Sequence, residues 1–231
     1  MTKHHSVLAL AALLATAATL TLPAKGGAQT NQAAPAITQT AEGGIRMGNA
    51  TARAALVEYV SYTCGHCATY DAQSHAILRS DYVSRGTTSV EVRPLVRDIV
   101  DLASAALARC GTPARFFERH HALMARQATT IAAAQSANGG WNAVPQPQRL
   151  ARVAADTGLI AAVAPLGVSA AEAAACLTNG PAITRIIEVT NASSGLGIEG
   201  TPSFLINGEL QRGTHSWAAL RPRLDAALAA R

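Results

Sequence analysis

The pattern of apolar positions between residues 55 and 78 predicts a strand followed directly by a helix. The segment "ALVEYVS" (55–61) is rich in β-branched and aromatic residues and has the length of one strand. The positions after it fall at helical spacing: Tyr70, Ser74, Ile77 and Leu78. Between the two lies "CGHC", so Cys64 is expected at the turn from the strand into the helix.

A long helical region separates this strand from the last one. The segment "TSVEVRPLV" (88–96) predicts a second strand, and Asp98 is placed to cap the helix that follows it. Ser169 and Glu172 have the spacing of a capping box at the start of a later helix. Strand character returns in "SFLIN" (203–207), ahead of a final helix. The helices therefore interrupt a frame that contains the strands.

The N-terminal segment has the pattern of a secretory signal peptide. Lys3 precedes an uncharged apolar run from Val7 to Leu22, and small residues follow as far as Ala28. The run is shorter than the roughly 20 residues of a membrane-spanning helix, so we expect a signal peptide at residues 1–28, cleaved after Ala28, rather than an uncleaved anchor. Residues 29–44 are polar and lack periodicity, and we expect a flexible leader there.

The composition argues against a nucleic-acid partner and against a small disulfide-stapled scaffold. The chain has 19 basic and 14 acidic residues, but the arginines are scattered and no basic block is interleaved with aromatic residues. Its 231 residues are enough to bury an ordinary core, and four cysteines are few for that length. Each cysteine therefore needs its own explanation.

The spacing of Cys64 and Cys67 suits a dithiol redox pair better than haem or zinc. Covalent haem attachment requires a histidine directly after the second cysteine, and that position is Ala68. A structural zinc site needs two further ligands at similarly close spacing. The other cysteines stand alone, and the adjacent His120 and His121 do not complete such a set. We therefore expect no metal site.

A redox role follows from the expected position of Cys64 at a helix N-terminus. Unpaired N–H groups and the helix dipole stabilise a thiolate there, and the thiolate is the form that attacks a disulfide. Cys67, one turn further on, is placed to resolve the mixed disulfide. Gly65 and His66 lie between them. We expect the His66 imidazole to stabilise the Cys64 thiolate, and an exposed loop histidine is the alternative.

Two segments resemble the DsbA-like thiol:disulfide oxidoreductases of the bacterial periplasm. "LVEYVSYTCGHC" is similar to their active-site strand and helix start, and "GIEGTPSFLING" is similar to their cis-proline loop before a strand. The resemblance covers residues 45–231 and implies an α/β structure, a thioredoxin fold with an inserted helical domain. It assigns residues 45–97 and 191–231 to the thioredoxin-like domain and residues 98–190 to the helical insertion.

The resemblance also implies roles for single residues. Cys64 would be the nucleophile, Cys67 the resolving thiol, and Pro202 the cis-proline that faces the pair. The backbone at Thr201 would then be open to an extended substrate segment. Glu58 matches an acidic residue that the family buries beneath the active site, where it would relay protons from the second cysteine. A surface-facing strand glutamate is the alternative.

Substrates and partners are implied in the same way. The resemblance points to a monomeric periplasmic protein without a cofactor, which acts on reduced or unfolded exported proteins and is reoxidised by a membrane partner linked to quinone. The chain has Gly-His between its cysteines, whereas the family's oxidases commonly have Pro-His, and Gly-His is also found in eukaryotic disulfide isomerases. We expect a dithiol oxidase. The alternatives are a disulfide isomerase or reductase, and a peptide-binding chaperone with a vestigial redox pair.

The remaining cysteines, Cys110 and Cys176, both fall near helix ends in the predicted insertion. We expect a structural disulfide between them, in part because some DsbA-like proteins resemble this pattern. Two buried free thiols are the alternative. Closing this loop of roughly 67 residues would contribute about 4 kcal/mol in the chain-entropy model.

Overall fold

The computed structural model describes residues 1–2, 34–137 and 139–230, so the expected signal peptide lies outside the described residues except for its first two. Within these ranges the strands are β1 (Ile37–Gln39), β2 (Ile45–Met47), β3 (Ala54–Val60), β4 (Thr88–Pro94), β5 (Ser203–Ile206) and β6 (Glu209–Leu210). The α-helices there are α1 (Gly65–Ile77), α2 (Ile99–Arg109), α3 (Phe116–Ala125), α4 (Gln127–Ser136), α5 (Gln146–Asp156), α6 (Leu159–Val163), α7 (Ala170–Thr178), α8 (Gly180–Ala192) and α9 (Trp217–Ala229). A π-helical segment, Leu78–Val83, prolongs α1.

The strands of the described residues form one mixed sheet in the order β1-β2-β4-β3-β5-β6. β3 and β4 run parallel and are joined by the crossover helix α1, whereas β2 pairs with β4, and β5 with β3, antiparallel. Helices α2 to α8 lie between β4 and β5 in the chain. The predicted α/β class, a thioredoxin fold with an inserted helical domain, is confirmed.

β3 is buried on both faces, which explains its nearly continuous apolar sequence. Leu56 and Val60 belong to the main core. Tyr59 belongs to a second cluster, with Val189 of α8 and Leu205 of β5. The end of β3 is therefore held from both sides of the sheet, and this fixes the position of the turn that follows it.

The flexible leader expected at residues 29–44 is wrong for its described C-terminal part. Ile37–Gln39 form β1 and pair antiparallel with β2. The Thr40 hydroxyl donates a hydrogen bond to Glu91 Oε1 at 2.8 Å and accepts one from the Gly44 N–H at 3.0 Å. A three-residue strand is too short to show an alternating pattern, and a side chain of β4 anchors its turn, so the sequence pattern alone did not reveal it.

Two predicted helix starts are confirmed. The Asp98 side chain caps α2 by accepting hydrogen bonds from the N–H groups of Val100 and Asp101. Ser169 and Glu172 form a reciprocal capping box at the start of α7. Short-range polar signals of this kind are readable from sequence because both partners lie within one helical turn.

The inserted helices share a core with the sheet. Ala33–Arg231 form one compact unit, and its main apolar core extends from Ile45 of β2 to Leu224 of α9. The boundary expected between residues 190 and 191 falls inside α8, which packs against β4. Helical periodicity indicates that a helix has an apolar face but not which element covers it.

No single helix within the described ranges is both long enough and apolar enough to cross a membrane. One pair of consecutive helical segments, Leu159–Leu166 and Ala170–Thr178, is long and apolar enough only when the two are counted together, and the chain bends by 119° between them.

Candidate active site

Cys64 and Cys67 lie at the start of α1, where β3 ends. Cys64 is the N-cap residue and has an extended backbone, with φ −98° and ψ 114°. Its carbonyl accepts hydrogen bonds from the backbone N–H groups of Cys67 and Ala68, at 3.0 and 3.2 Å. Cys64 is 5% exposed, Cys67 has no exposed surface, and both are free thiols in this structure. The more accessible sulfur is therefore the one at the helix N-terminus, where backbone N–H groups lack helical partners.

The two thiols have opposite electrostatic environments. A hydrogen bond from the Cys67 side chain, together with hydrogen bonds from the Thr201 side chain and from the backbone N–H groups of Cys67 and His66, lowers the pKa of Cys64 to about 4. Burial raises the pKa of Cys67 far above its usual range, and the hydrogen bond to Cys64 raises it further. At neutral pH the pair therefore consists of a Cys64 thiolate and a Cys67 thiol.

Gly65 and His66 form the exposed rim of this turn. A Cβ atom added at Gly65 would meet no other atom within 4 Å, so the space above the turn is open. The His66 backbone N–H makes the smallest of the hydrogen-bond contributions that lower the pKa of Cys64. The expected contribution of the His66 imidazole to the Cys64 thiolate stays a prediction.

The loop before β5 lies beside the Cys64 sulfur. The Thr201–Pro202 peptide bond is cis, and Cys64 in its thiol form donates a hydrogen bond from Sγ to the Thr201 carbonyl oxygen at 3.3 Å. His215 Nδ1 lies 2.9 Å from the Pro202 carbonyl oxygen. Because a carbonyl can only accept, this His215 nitrogen carries the proton. The hydrogen bond ties the loop to the segment that precedes α9, a contact that no sequence signal indicated.

Two aspartates at the start of α2 hold the turn between β3 and α1. Asp101, which is 1% exposed, accepts hydrogen bonds from the Ser61 hydroxyl at 2.5 Å and from the Tyr62 N–H at 2.7 Å. Asp98 accepts one from the Thr63 hydroxyl at 2.7 Å. Burial raises the pKa of Asp101 to about 6. Sequence reasoning found Asp98 only as a helix cap and missed Asp101, because their partners lie far away along the chain.

Glu58 is a buried residue of β3, with 5% of its surface exposed, and its side chain contacts Tyr70 of α1. Its Oε1 accepts a hydrogen bond from the Tyr70 hydroxyl at 2.5 Å, and the Tyr70 ring packs against Phe204 of β5. Burial raises the pKa of Glu58 to about 8, although the Tyr70 hydrogen bond opposes the shift. This carboxyl group is therefore mainly protonated at neutral pH. The sequence left open whether Glu58 is buried or faces the surface, and in the structure it is buried.

Cys110 and Cys176 are joined by a disulfide in the helical region. Cys110 directly follows α2, and Cys176 lies in the last turn of α7. The two residues are 66 positions apart in the chain, so the bond ties together two helices that are distant in sequence.

A dithiol at the start of the helix that follows a central strand, beside a cis-proline loop, defines a redox protein of the thioredoxin-fold class. Comparison with known families agrees with this class. The family model described as "Thioredoxin" matches residues 40–226. The chain belongs to the thioredoxin family.

Solved structures show the same architecture. The crystal structure of a protein-disulfide isomerase from Novosphingobium aromaticivorans is 34% identical to this chain and superposes with a TM-score of 0.74, covering 79% of this chain and 96% of its own. Wolbachia pipientis alpha-DsbA1 is 19% identical and superposes with a TM-score of 0.60, covering 80% of this chain and 90% of its own. At 19% identity, the similarity to the Wolbachia protein shows a shared fold and no more.

Curated relatives are longer than the matched region. A Rickettsia conorii protein, provisionally named a protein-disulfide oxidoreductase, is 28% identical over 184 residues. The match covers 79% of this chain and 59% of that relative. The chain therefore spans somewhat less than two thirds of the length of such relatives.

Proposed function

We propose that this protein is a thiol:disulfide oxidoreductase that introduces disulfides into reduced exported proteins. The observation that carries the proposal is the placement of the pair, with Cys64 at the N-cap of α1 beside the cis-proline loop and Cys67 fully buried one turn further on. The pKa of Cys64 is lowered and that of Cys67 is raised, in agreement with this placement. A thiolate at a helix N-terminus beside a protonated partner is the arrangement that disulfide exchange requires. The names of the Novosphingobium and Rickettsia proteins support the same class of reaction.

The reaction begins from a disulfide between Cys64 and Cys67. A substrate thiolate attacks the Cys64 sulfur and forms a mixed disulfide, while Cys67 leaves and takes up a proton. A second substrate thiolate then attacks the substrate sulfur of that bond and expels Cys64. The substrate gains a disulfide and loses two electrons, which remain on the reduced pair. Glu58 is the group to which we assign proton exchange with Cys67, since it is buried against α1 and its pKa is about 8.

The direction of the reaction depends on how well the reduced form is stabilised. Cys64 leaves readily in the second step because its pKa is low, and a stabilised thiolate makes the disulfide form a stronger oxidant. This argument favours an oxidase over a reductase. A disulfide isomerase is the second candidate, because the chain carries Gly-His between its cysteines and the Novosphingobium structure is titled a protein-disulfide isomerase.

We assign substrate binding to the loop at Thr201 and Pro202. The Thr201 carbonyl lies 3.3 Å from Cys64 Sγ, so a peptide that pairs with this backbone would have its own cysteine close to the reactive sulfur. Pairing through main-chain groups gives affinity without requiring particular substrate side chains. Such a mode suits an enzyme that acts on many unfolded proteins.

We place the protein in the periplasm as a monomer, exported by the signal peptide expected at residues 1–28. The Cys110–Cys176 disulfide supports this location, because structural disulfides persist in oxidising compartments. Each turnover leaves the active-site pair reduced, so an external oxidant must restore it. We assign that step to a membrane partner linked to quinone.

Two measurements test the proposal. The oxidised protein should convert a dithiol peptide to its disulfide, whereas Cys64→Ser should be inactive. The reduction potential of the pair should lie nearer to the value of about −120 mV for DsbA than to about −270 mV for thioredoxin. Rapid repair of a scrambled disulfide protein with slow peptide oxidation would favour the isomerase. Suppression of aggregation by a wild-type protein without redox turnover would favour the chaperone with a vestigial pair.

A further inference from the structure

Three side chains that the proposed thiol chemistry does not use converge where α1 packs against α3. They are Asp71 on α1 and the adjacent His120 and His121 on α3. His121 Nδ1 lies 2.7 Å from Asp71 Oδ1, and His120 Nε2 lies 3.6 Å from the same oxygen. One ligand atom from each residue lies within 4.8 Å of those from the other two.

The cluster is sheltered on one side and open to solvent on the other. The His120 side chain is 2% exposed and that of Asp71 is 10% exposed, whereas the His121 side chain is 27% exposed. All three line one small cavity, together with His75 and Phe117. His75, whose side chain is 39% exposed, contacts His121 at the mouth of the cavity, with 4.3 Å between ring centroids and 30° between the ring planes. His75 and His121 therefore form the solvent-facing side of the cluster, and His120 forms its buried side.

The buried histidine is held in one orientation by groups outside the cluster. His120 Nδ1 lies 2.8 Å from the Tyr62 hydroxyl, and the Phe116 ring is stacked at 15° to the imidazole. A contact on Nδ1 leaves Nε2 directed at Asp71. A hydrogen bond to the far nitrogen of an imidazole is the device that orients histidine ligands in metal sites.

We propose that Asp71, His120 and His121 form a binding site for a divalent transition-metal ion of the zinc type. The ligand atoms would be Asp71 Oδ1, His120 Nε2 and His121 Nδ1. Two imidazoles and one carboxylate suit zinc, copper or nickel better than magnesium or calcium, which prefer oxygen ligands. Three protein ligands leave the fourth position of a tetrahedral ion to water, on the side that faces His75 and solvent.

One of the ligand-atom distances is already close to that of a metal-bound set, and the others require only small movements of side chains. Ligand atoms about 2.0–2.1 Å from a tetrahedral ion lie about 3.4 Å from one another. The His120 to Asp71 separation of 3.6 Å already fits, and an ion would replace the proton shared by His121 and Asp71 at 2.7 Å. Sequence reasoning set the two histidines aside because they do not complete a closely spaced ligand set with the cysteines. The third ligand comes from a different helix.

The test uses zinc as the probe and the untagged chain with Cys64 and Cys67 held as a disulfide, so that the thiols cannot ligate. Calorimetric titration of the wild type should show one zinc ion bound per chain at this site. His121→Ala and Asp71→Asn should each weaken binding by at least tenfold. Cobalt substituted for zinc should give a tetrahedral visible spectrum without thiolate charge-transfer bands.

Two further variants separate a metal site from general effects on folding. Tyr62→Phe keeps all three ligands and removes only the hydrogen bond to His120, and it should lower the zinc affinity by about 10- to 100-fold. His215→Ala removes an exposed histidine outside the cluster and should leave the affinity unchanged. Circular dichroism of each variant establishes that it is folded. Equal zinc affinity in the wild type, His121→Ala and Asp71→Asn would overturn the proposal, as would the absence of zinc binding to the folded wild type.

Discussion

The two cysteine pairs of this chain lie at opposite ends of helices. Cys64 precedes α1, where unpaired N–H groups and the positive end of the helix dipole stabilise a thiolate. Cys110 follows α2 and Cys176 lies in the last turn of α7, at the negative ends of their helices. The first pair is a dithiol and the second is a disulfide. The local electrostatics of a helix end thus favour a reactive thiolate at one pair and oppose it at the other.

Sequence separation distinguishes the pairs in a second way. A bond between residues 66 positions apart removes much conformational entropy from the unfolded chain, whereas a bond across two intervening residues removes little. Stability should therefore depend on Cys110 and Cys176, and chemistry on Cys64 and Cys67. Substitutions at either pair can test this division between stability and chemistry.

The largest expected effect is on turnover. Cys64→Ser should reduce the oxidation of a dithiol peptide to the rate without enzyme, because the Cys67 thiol that remains is buried and its pKa is far above its usual range. The double variant Cys110→Ala and Cys176→Ala should keep most of the wild-type rate. Equal losses in the two variants, measured well below their melting temperatures, would show that the pairs are not separable.

The second effect is on stability. Loss of the Cys110–Cys176 bond in the same double variant should lower the free energy of unfolding by about 2–5 kcal/mol, measured by urea denaturation of the oxidised protein. Cys64→Ser with Cys67→Ser is the matched control and should change it much less. A larger loss in this control than in the double alanine variant would contradict the assignment.

The pH dependence of alkylation sharpens the comparison at Cys64. Because hydrogen bonds lower the pKa of this thiol to about 4, its alkylation rate in the reduced protein should be nearly constant from neutral pH down to about pH 5 and fall below that. Mass spectrometry after timed quenching would locate the modified cysteine at each pH. A midpoint near 8.5, the value for a free cysteine, would remove the basis for calling Cys64 the nucleophile.

Glu58 gives a smaller effect with a defined sign. Its pKa is about 8 in the folded protein and 4.5 in its reference state, so between these values the folded chain holds a proton that the unfolded chain has released. Stability contributed by this group therefore falls as the pH rises through that window. Glu58→Gln should reduce the decline and leave the part due to Asp101, whose pKa is also raised, and urea denaturation of both proteins at pH 5 and pH 8 would measure the difference. An identical pH dependence in the variant would mean that Glu58 ionises normally.

Much of the fold could be predicted because its signals are local. The strand β3, which precedes the turn at Cys64, was visible in its apolar run, and the starts of α2 and α7 were visible in their capping residues. The strand β1 could not be predicted in the same way. It has only three residues, and the side chain that anchors its turn, Glu91, belongs to β4.

In the candidate site too, local features could be predicted from the sequence and long-range contacts could not. The spacing of Cys64 and Cys67 is visible in the sequence, but the aspartate that fixes the turn before them is not. Asp101 reaches the Ser61 hydroxyl across a sequence separation of 40 residues. The convergence of Asp71 with His120 likewise depends on how α1 packs against α3. Sequence reasoning thus finds the reactive atoms more readily than the groups that position them.

The smallest expected effect concerns Gly65, the first residue of α1. Proline is favoured at this position because its missing N–H has no helical partner there. Cys64 already has the extended backbone that a following proline requires, with φ −98° and ψ 114°. The space around a Cβ at Gly65 is open. Gly65→Pro should therefore raise the free energy of unfolding of the reduced protein by about 0.4–1 kcal/mol, through a less flexible unfolded chain.

The matched control is a proline one position later. Gly65→Pro keeps the His66 N–H that donates to the Cys64 sulfur, so the alkylation midpoint of Cys64 should stay near its wild-type value. His66→Pro removes that donor and forces Gly65 away from helical geometry, so it should raise the midpoint and lower the stability. If the two variants shift the midpoint equally, the His66 amide is not a significant donor to the thiolate. The lowered pKa would then depend on Cys67 and Thr201 alone.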